Sequence, residues 1–271
     1  MTPEVSKAAA AVTFSFNCIG EVPMQERVDS VQAAGFTDLG LSIRWMTLWL
    51  ADHDLGELDS MLESGGLRVG ELEALRIMGS EPDPREETAA LLAERYRPAR
   101  LQCTGPYDGS VNDAAVRAAR VADRFAEWGV DVVLEPLPFT NMATPADAAE
   151  IITLADRPNL SMCLDVWHLY RAGLGLDALA GLWPHITTVQ LNDGTLIAQD
   201  PDLYADCLHN RKITGAGEFD VVGLLRMARQ HRPDSTYSVE VISTELRSQD
   251  AALTSMQIAE GLATVFAQVD V

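Results

Sequence analysis

Four oxygen donors stand at or near the ends of apolar runs: Glu135 closes VVLE, Asp165 closes SMCLD, Gln190 lies in TVQLND and Glu240 in YSVEV. Three carboxylates gathered in one place are costly unless a cation neutralises them. Carboxylates with a carboxamide suit one hard divalent ion. Mn²⁺ and Mg²⁺ come first, with Co²⁺ and Zn²⁺ as further candidates, and positions stay open for water or substrate. The competing reading is a set of unrelated polar residues at loop edges, but four such donors on four successive runs argue against it. Three residues past Asp165 comes His168, in DVWHLYR, placed to donate to a substrate oxygen or to carry a proton. The plainer alternative is a ring satisfied by backbone beneath the rim. Two cations complete the set. Arg76 follows ELEAL, and Arg211 lies with His209 and Lys212 ahead of GAGEFD. Beside a metal rim they suit an oxygen-rich or anionic substrate, although each alone is an ordinary solvated cation. Gly215, Gly217 and Glu218 form a GxGE turn outside the strand-and-helix setting of a nucleotide loop, and neither GxSxG nor HExxH occurs.

These residues meet only if the chain folds to bring strand ends together. Short β-rich runs at 13–17, 38–43, 68–75, 100–103, 131–135, 160–165, 186–191 and 237–241 alternate with helical patterns. The helical stretches fall at 25–34, 56–65, 86–96, 112–128, 146–156, 177–182, 221–229 and 250–267. Eight such repeats predict an α/β fold, one (β/α)8 TIM barrel over 1–271, whose active site lies at the C-terminal strand ends. VDVVLE and ITTVQL read as apolar on both faces, as for strands wrapped by helices. Asn112-Asp113 and Thr144-Pro145 supply helix-start chemistry, and Gly35, Gly66 and Gly129 stand where helices should stop. The widest irregular stretch is 192–220, and 44–53 (RWMTLWLADH) is a second unusual loop. Trp45 and Trp49 within it suit a lid, a dimer contact or the core.

Composition narrows the partners. The chain has 40 acidic and 20 basic residues among 271, a net charge of −20, which repels phosphate backbones and anionic headgroups. Nucleic acid and membrane are therefore not expected. No run is apolar enough to span a bilayer, and the N-terminus lacks the basic and hydrophobic regions of a signal peptide. Four scattered cysteines without CxxC fit reduced thiols, so the expected location is cytoplasmic.

From Glu135 onward the segments LEPLPFTN, PNLSMCLDVWHLYRAG, TVQLNDG, RKITGAGEFDVVGLL and YSVEV resemble the xylose isomerase-like TIM-barrel superfamily of sugar (phosphate) isomerases and epimerases. The resemblance places Glu135, Asp165, Gln190 and Glu240 on metal-ligand positions. It makes Glu135 and Glu240 the acid/base pair, and His168 and Arg211 substrate-binding residues. Many members carry His where this chain has Gln190. A Gln there is similar to one bacterial type of 3-dehydroshikimate dehydratase, whose arginines also resemble Arg76 and Arg211.

The implied activity is a metal-dependent isomerase or epimerase. It would act on a polyhydroxylated carbonyl substrate by glutamate-mediated proton transfer through a metal-stabilised enediolate, with His168 assisting. The alternative is a dehydratase (lyase) of a cyclic keto compound such as 3-dehydroshikimate or an inosose. A sugar, cyclitol or keto-acid is the expected small-molecule partner in each case. From another class comes a non-catalytic sugar-binding barrel or complex subunit. Oligomeric state is open, a homodimer included.

Overall fold

The computed structural model describes residues 2–269. Among them eight parallel strands close into a barrel, each beside its sequence neighbour. They are β1 (Thr13–Phe14), β2 (Asp38–Ser42), β3 (Arg68–Leu75), β4 (Arg100–Thr104), β5 (Asp131–Glu135), β6 (Leu160–Asp165), β7 (Ile186–Leu191) and β8 (Thr236–Val239). The fold is the expected (β/α)8 barrel. Two strands end early. β1 stops because Ser15 turns the chain into a 3-10 helix at Phe16–Cys18, its hydroxyl accepting from Asn17 N at 3.3 Å. β8 stops at Val239, yet Glu240 N still donates to Leu191 O at 3.0 Å, so Glu240 keeps its place on the rim.

Alternation along each strand decides what fills the barrel. In GELEAL, Glu71 and Glu73 point the same way. Glu71 Oε2 accepts from Arg100 Nε at 2.8 Å, while Arg100 Nη1 reaches Thr236 Oγ1 at 3.1 Å. Thr188 Oγ1 lies 3.1 Å from Thr236 Oγ1, and one layer on, the side-chain amides of Gln102 and Gln190 meet at 3.2 Å. The barrel interior is thus polar, and ITTVQL is apolar on its outer face only. That polar stack leads up to the rim.

Most helices fall where periodicity predicts them, with differences set by caps. The helix at Val111–Ala126 starts from Ser110, not from Asn112-Asp113. Ser110 Oγ accepts from Asp113 N and Asp113 Oδ2 from Ser110 N, a reciprocal box that makes Asp113 the third helical residue. Thr144 and Pro145 do begin the next helix as expected. Gly35, Gly66 and Gly129 end helices with φ of 86°, 62° and 71°, a region that favours glycine. The pattern at 177–182 is a 3-10 turn, Leu176–Leu179. Three short helices, Pro3–Ala10, Ile43–Trp49 and Leu203–His209, occupy segments without a clear periodic signal, each capped by a preceding Thr2, Ser42 or Asp202. Both expected irregular stretches therefore contain a helix. Trp45 is half-buried against Phe16, ring centroids 5.1 Å apart. Among the described residues no helix is long and apolar enough to cross a membrane.

Candidate active site

A cavity of about 550 Å³ opens at the C-terminal strand ends, and Arg76, Glu135, His168, Arg211 and Glu240 all line it. Asp165 and Gln190 are buried behind them, at 1% and 0% exposure. Glu135, Asp165 and His168 each bring one ligand atom into a cluster whose members lie within 4.8 Å of one another. Register adds the fourth residue, because Asp165 pairs with Gln190 across β6 and β7. One end of the Gln190 amide lies 3.1 Å from both Asp165 Oδ2 and Glu135 Oε1, and 3.2 Å from Gln102 Nε2. With its NH2 there, the amide donates to both carboxylates. With its oxygen there, it accepts from Gln102 and adds a third oxygen to the cluster.

Asp165 is held by three donors. Trp167 N and Asn192 Nδ2 donate to Oδ1 at 2.7 and 2.9 Å, and Arg211 Nη1 donates to Oδ2 at 2.7 Å. Burial alone would raise its pKa, but Arg211, His168 and these donors hold it below the usual carboxylate value. Burial does raise Glu135, with contact to His168 offsetting only part of the effect. His168 Nε2 sits 3.3 Å from Glu135 Oε1 and 3.4 Å from Arg211 Nη2, between an acceptor and a donor, while Nδ1 is buried without a partner. Each tautomer can satisfy only one of the two Nε2 contacts.

Glu240 stands outside that cluster, across the Arg211 guanidinium. Arg211 Nη1 reaches Glu240 Oε2 at 3.1 Å, and Glu240 Oε1 accepts from Asn17 Nδ2 at 3.0 Å and Ser15 Oγ at 3.2 Å. Arg211 is itself only 2% exposed and also bonds the Cys207 carbonyl and thiol. The loop after β7 holds it in place. Asp193 and Lys212 exchange backbone hydrogen bonds at 2.8 and 2.9 Å, and GAGEFD folds round the Asp193 carboxylate so closely that a Cβ on Gly217 would lie 2.2 Å from Oδ1. A buried Arg171–Asp206 pair at 2.7 Å pins the helix in the same loop. Arg211 thus compensates Asp165 and Glu240. Replacing it by Met leaves both buried carboxylates unpaired, with an expected destabilisation of about 3–5 kcal/mol by chemical denaturation. A change under about 1 kcal/mol would contradict this compensating role.

The remaining cations diverge. Arg76 is exposed and, among the described residues, its side chain makes no hydrogen bond or ion pair. His209 instead turns to Thr244 Oγ1, 2.8 Å away. Sequence reasoning missed Glu73, which accepts from Ser15 Oγ at 2.9 Å, Asn17 Nδ2 at 3.0 Å and Phe16 N at 3.1 Å, two of the same donors that hold Glu240. Burial, then Glu71 and Glu240, raise its pKa well above the usual range. The signal was available in the two-residue alternation of Glu71 and Glu73. Also missed was the wall of Leu137, Phe139 and Tyr204, with the Phe139 ring edge-on to His168 at 5.9 Å.

The donor set fits a hard divalent cation. Glu135, Asp165 and Glu240 carry three negative charges against one from Arg211, so two remain uncompensated in a buried setting. Carboxylate, carboxamide and imidazole donors converge beside them.

The family profile described as "Xylose isomerase-like TIM barrel" matches residues 31–262. No curated protein sequence matches the chain. Among solved structures, a xylose isomerase-like TIM barrel/4-hydroxyphenylpyruvate dioxygenase fusion protein is similar at 18% identity and a TM-score of 0.82, over 96% of this chain. This chain spans only 43% of that fusion protein. The IolI protein, solved with a zinc atom, is similar at 15% identity and a TM-score of 0.80, over 96% of this chain and 99% of that one. The probable 3-DHS dehydratase AsbF from Bacillus anthracis is similar at 16% identity and a TM-score of 0.71, over 91% and 97%. At such identities the likeness is one of fold.

Proposed function

The chain belongs to the xylose isomerase-like TIM barrel family, and from that premise we propose a divalent-metal-dependent isomerase or epimerase acting on a polyhydroxylated carbonyl compound. One observation carries the reading: Glu135 and Glu240, three strands apart round the rim, line the same cavity with His168 and Arg211.

Glu135, Asp165 and the Gln190 carboxamide would hold the cation, with Glu240 as a further donor. Once bound, it would polarise a substrate carbonyl and acidify the adjacent C–H. Glu240 is oriented for proton abstraction by Ser15, Asn17 and Arg211, which fix both of its oxygens. Glu135 approaches from another direction and returns the proton at a new face or carbon. His168 donates to a substrate oxygen from between them. Phe139 and Leu137 limit water at that side.

A second reading has its own support. Arg76, whose side chain has no partner among the described residues, lines the cavity near an apolar wall, which suits a flat ring carrying a carboxylate. In that case the same abstraction is followed by loss of a β-hydroxyl, with His168 as proton donor. Assays with Mn²⁺ separate the two. Interconversion of ketoses with no change in 3-dehydroshikimate supports the isomerase. Inert ketoses, with a conjugated ultraviolet-absorbing product from 3-dehydroshikimate, would reverse the order.

A further inference from the structure

A second pocket of about 250 Å³ lies at the same end of the barrel, lined by residues after β1, β2 and β8. We propose that Arg27, Arg44 and Arg247 make it a binding site for a small oxyanion, a phosphate monoester or a carboxylate. The chain has twice as many acidic as basic residues, yet these three arginines form no ion pair among the described residues. Glu21, the one acid lining the pocket, pairs with none of them.

Arg27 is the built element. It is 2% exposed, stacks on Phe16 at 3.8 Å, and is anchored through Nη1 to Phe16 O at 2.7 Å and Nη2 to Gly20 O at 2.8 Å. Its Nε is buried without a partner. Among the described residues its hydrogen-bond acceptors are neutral carbonyls, so no carboxylate pairs directly with its charge. Burial lowers its pKa to about 10; nearby Cys18 and the Glu73 carboxylate offset part of that effect, and the charge of neighbouring Arg247 adds to it. Arg44 and Arg247 are exposed and reach the pocket from two separate short helices, Ile43–Trp49 and Thr244–Arg247. Three guanidinium groups of fixed fork geometry are suited to bidentate oxyanion recognition.

The pocket adjoins the candidate active site through one residue. Asn17 lines it and also donates to Glu240 Oε1 at 3.0 Å. If the proposed reaction is right, the anion belongs to the far end of a substrate whose carbonyl lies at Glu135 and Glu240. The anion site itself does not depend on that reaction.

Titration of the full chain with inorganic phosphate and with acetate, in EDTA and followed by calorimetry, tests the site without any turnover. Saturable binding of either anion is expected, the tighter one naming the class. An R44A/R247A variant, altered only at exposed positions, should raise Kd at least tenfold, while R76A should change it less than twofold. Absence of saturable binding for both anions would overturn the proposal. So would a Kd unchanged in R44A/R247A, or binding lost in R76A instead.

Discussion

Glu240→Gln is expected to lower kcat by roughly a thousandfold or more, the range general acid–base groups contribute, while leaving the barrel folded. The amide keeps the volume and can still accept from Ser15, Asn17 or Arg211, but it can neither take nor deliver a proton. Glu135→Gln should cost a similar factor. The double variant should be little worse than either single one, because residues acting on one proton-transfer step are not additive. Steady-state kinetics with circular dichroism of each variant checks this. Near-normal activity of a folded Glu240→Gln protein would remove the two-glutamate mechanism.

Removal of divalent metal should have an equally large effect. After EDTA treatment turnover should fall to background, and Mn²⁺ should restore it. The two uncompensated charges among Glu135, Asp165 and Glu240 also couple the ion to stability. An ion present at about a hundred times its Kd contributes roughly 2.7 kcal/mol, which in a chain of this size shifts Tm by some 5–10 °C at about 2–4 °C per kcal/mol. A thermal scan with and without Mn²⁺ reads this directly. No shift and no metal-dependent turnover would favour the non-catalytic binding barrel.

Much of this site was legible because a parallel barrel sends every strand end to one mouth. Once eight strands could be located, Glu135, Asp165, His168, Gln190 and Glu240 had to meet. β3, β5, β6 and β7 have the bounds their apolar runs predict. Pairing within the mouth was not legible, since it depends on contacts between residues far apart in sequence. Arg211 lies 46 residues from Asp165, and nothing local marks its guanidinium as buried between that carboxylate and Glu240. Glu73 was overlooked for a different reason: it sits mid-strand, where a carboxylate is unexpected until the polar barrel interior is seen. The helices at Ile43–Trp49 and Leu203–His209 are short enough that caps and packing decide them more than periodicity does.

Proton exchange tests the central claim most directly, because epimerisation and dehydration share their first step. Ketoses, an inosose and 3-dehydroshikimate would each be incubated with the protein and Mn²⁺ in D2O. Proton NMR would then follow the signal at the carbon beside the carbonyl. Deuterium should enter at that carbon in at least one of them, require Mn²⁺, and vanish with Glu240→Gln. No exchange in any of them above the protein-free rate, or exchange undiminished in Glu240→Gln, would contradict the account.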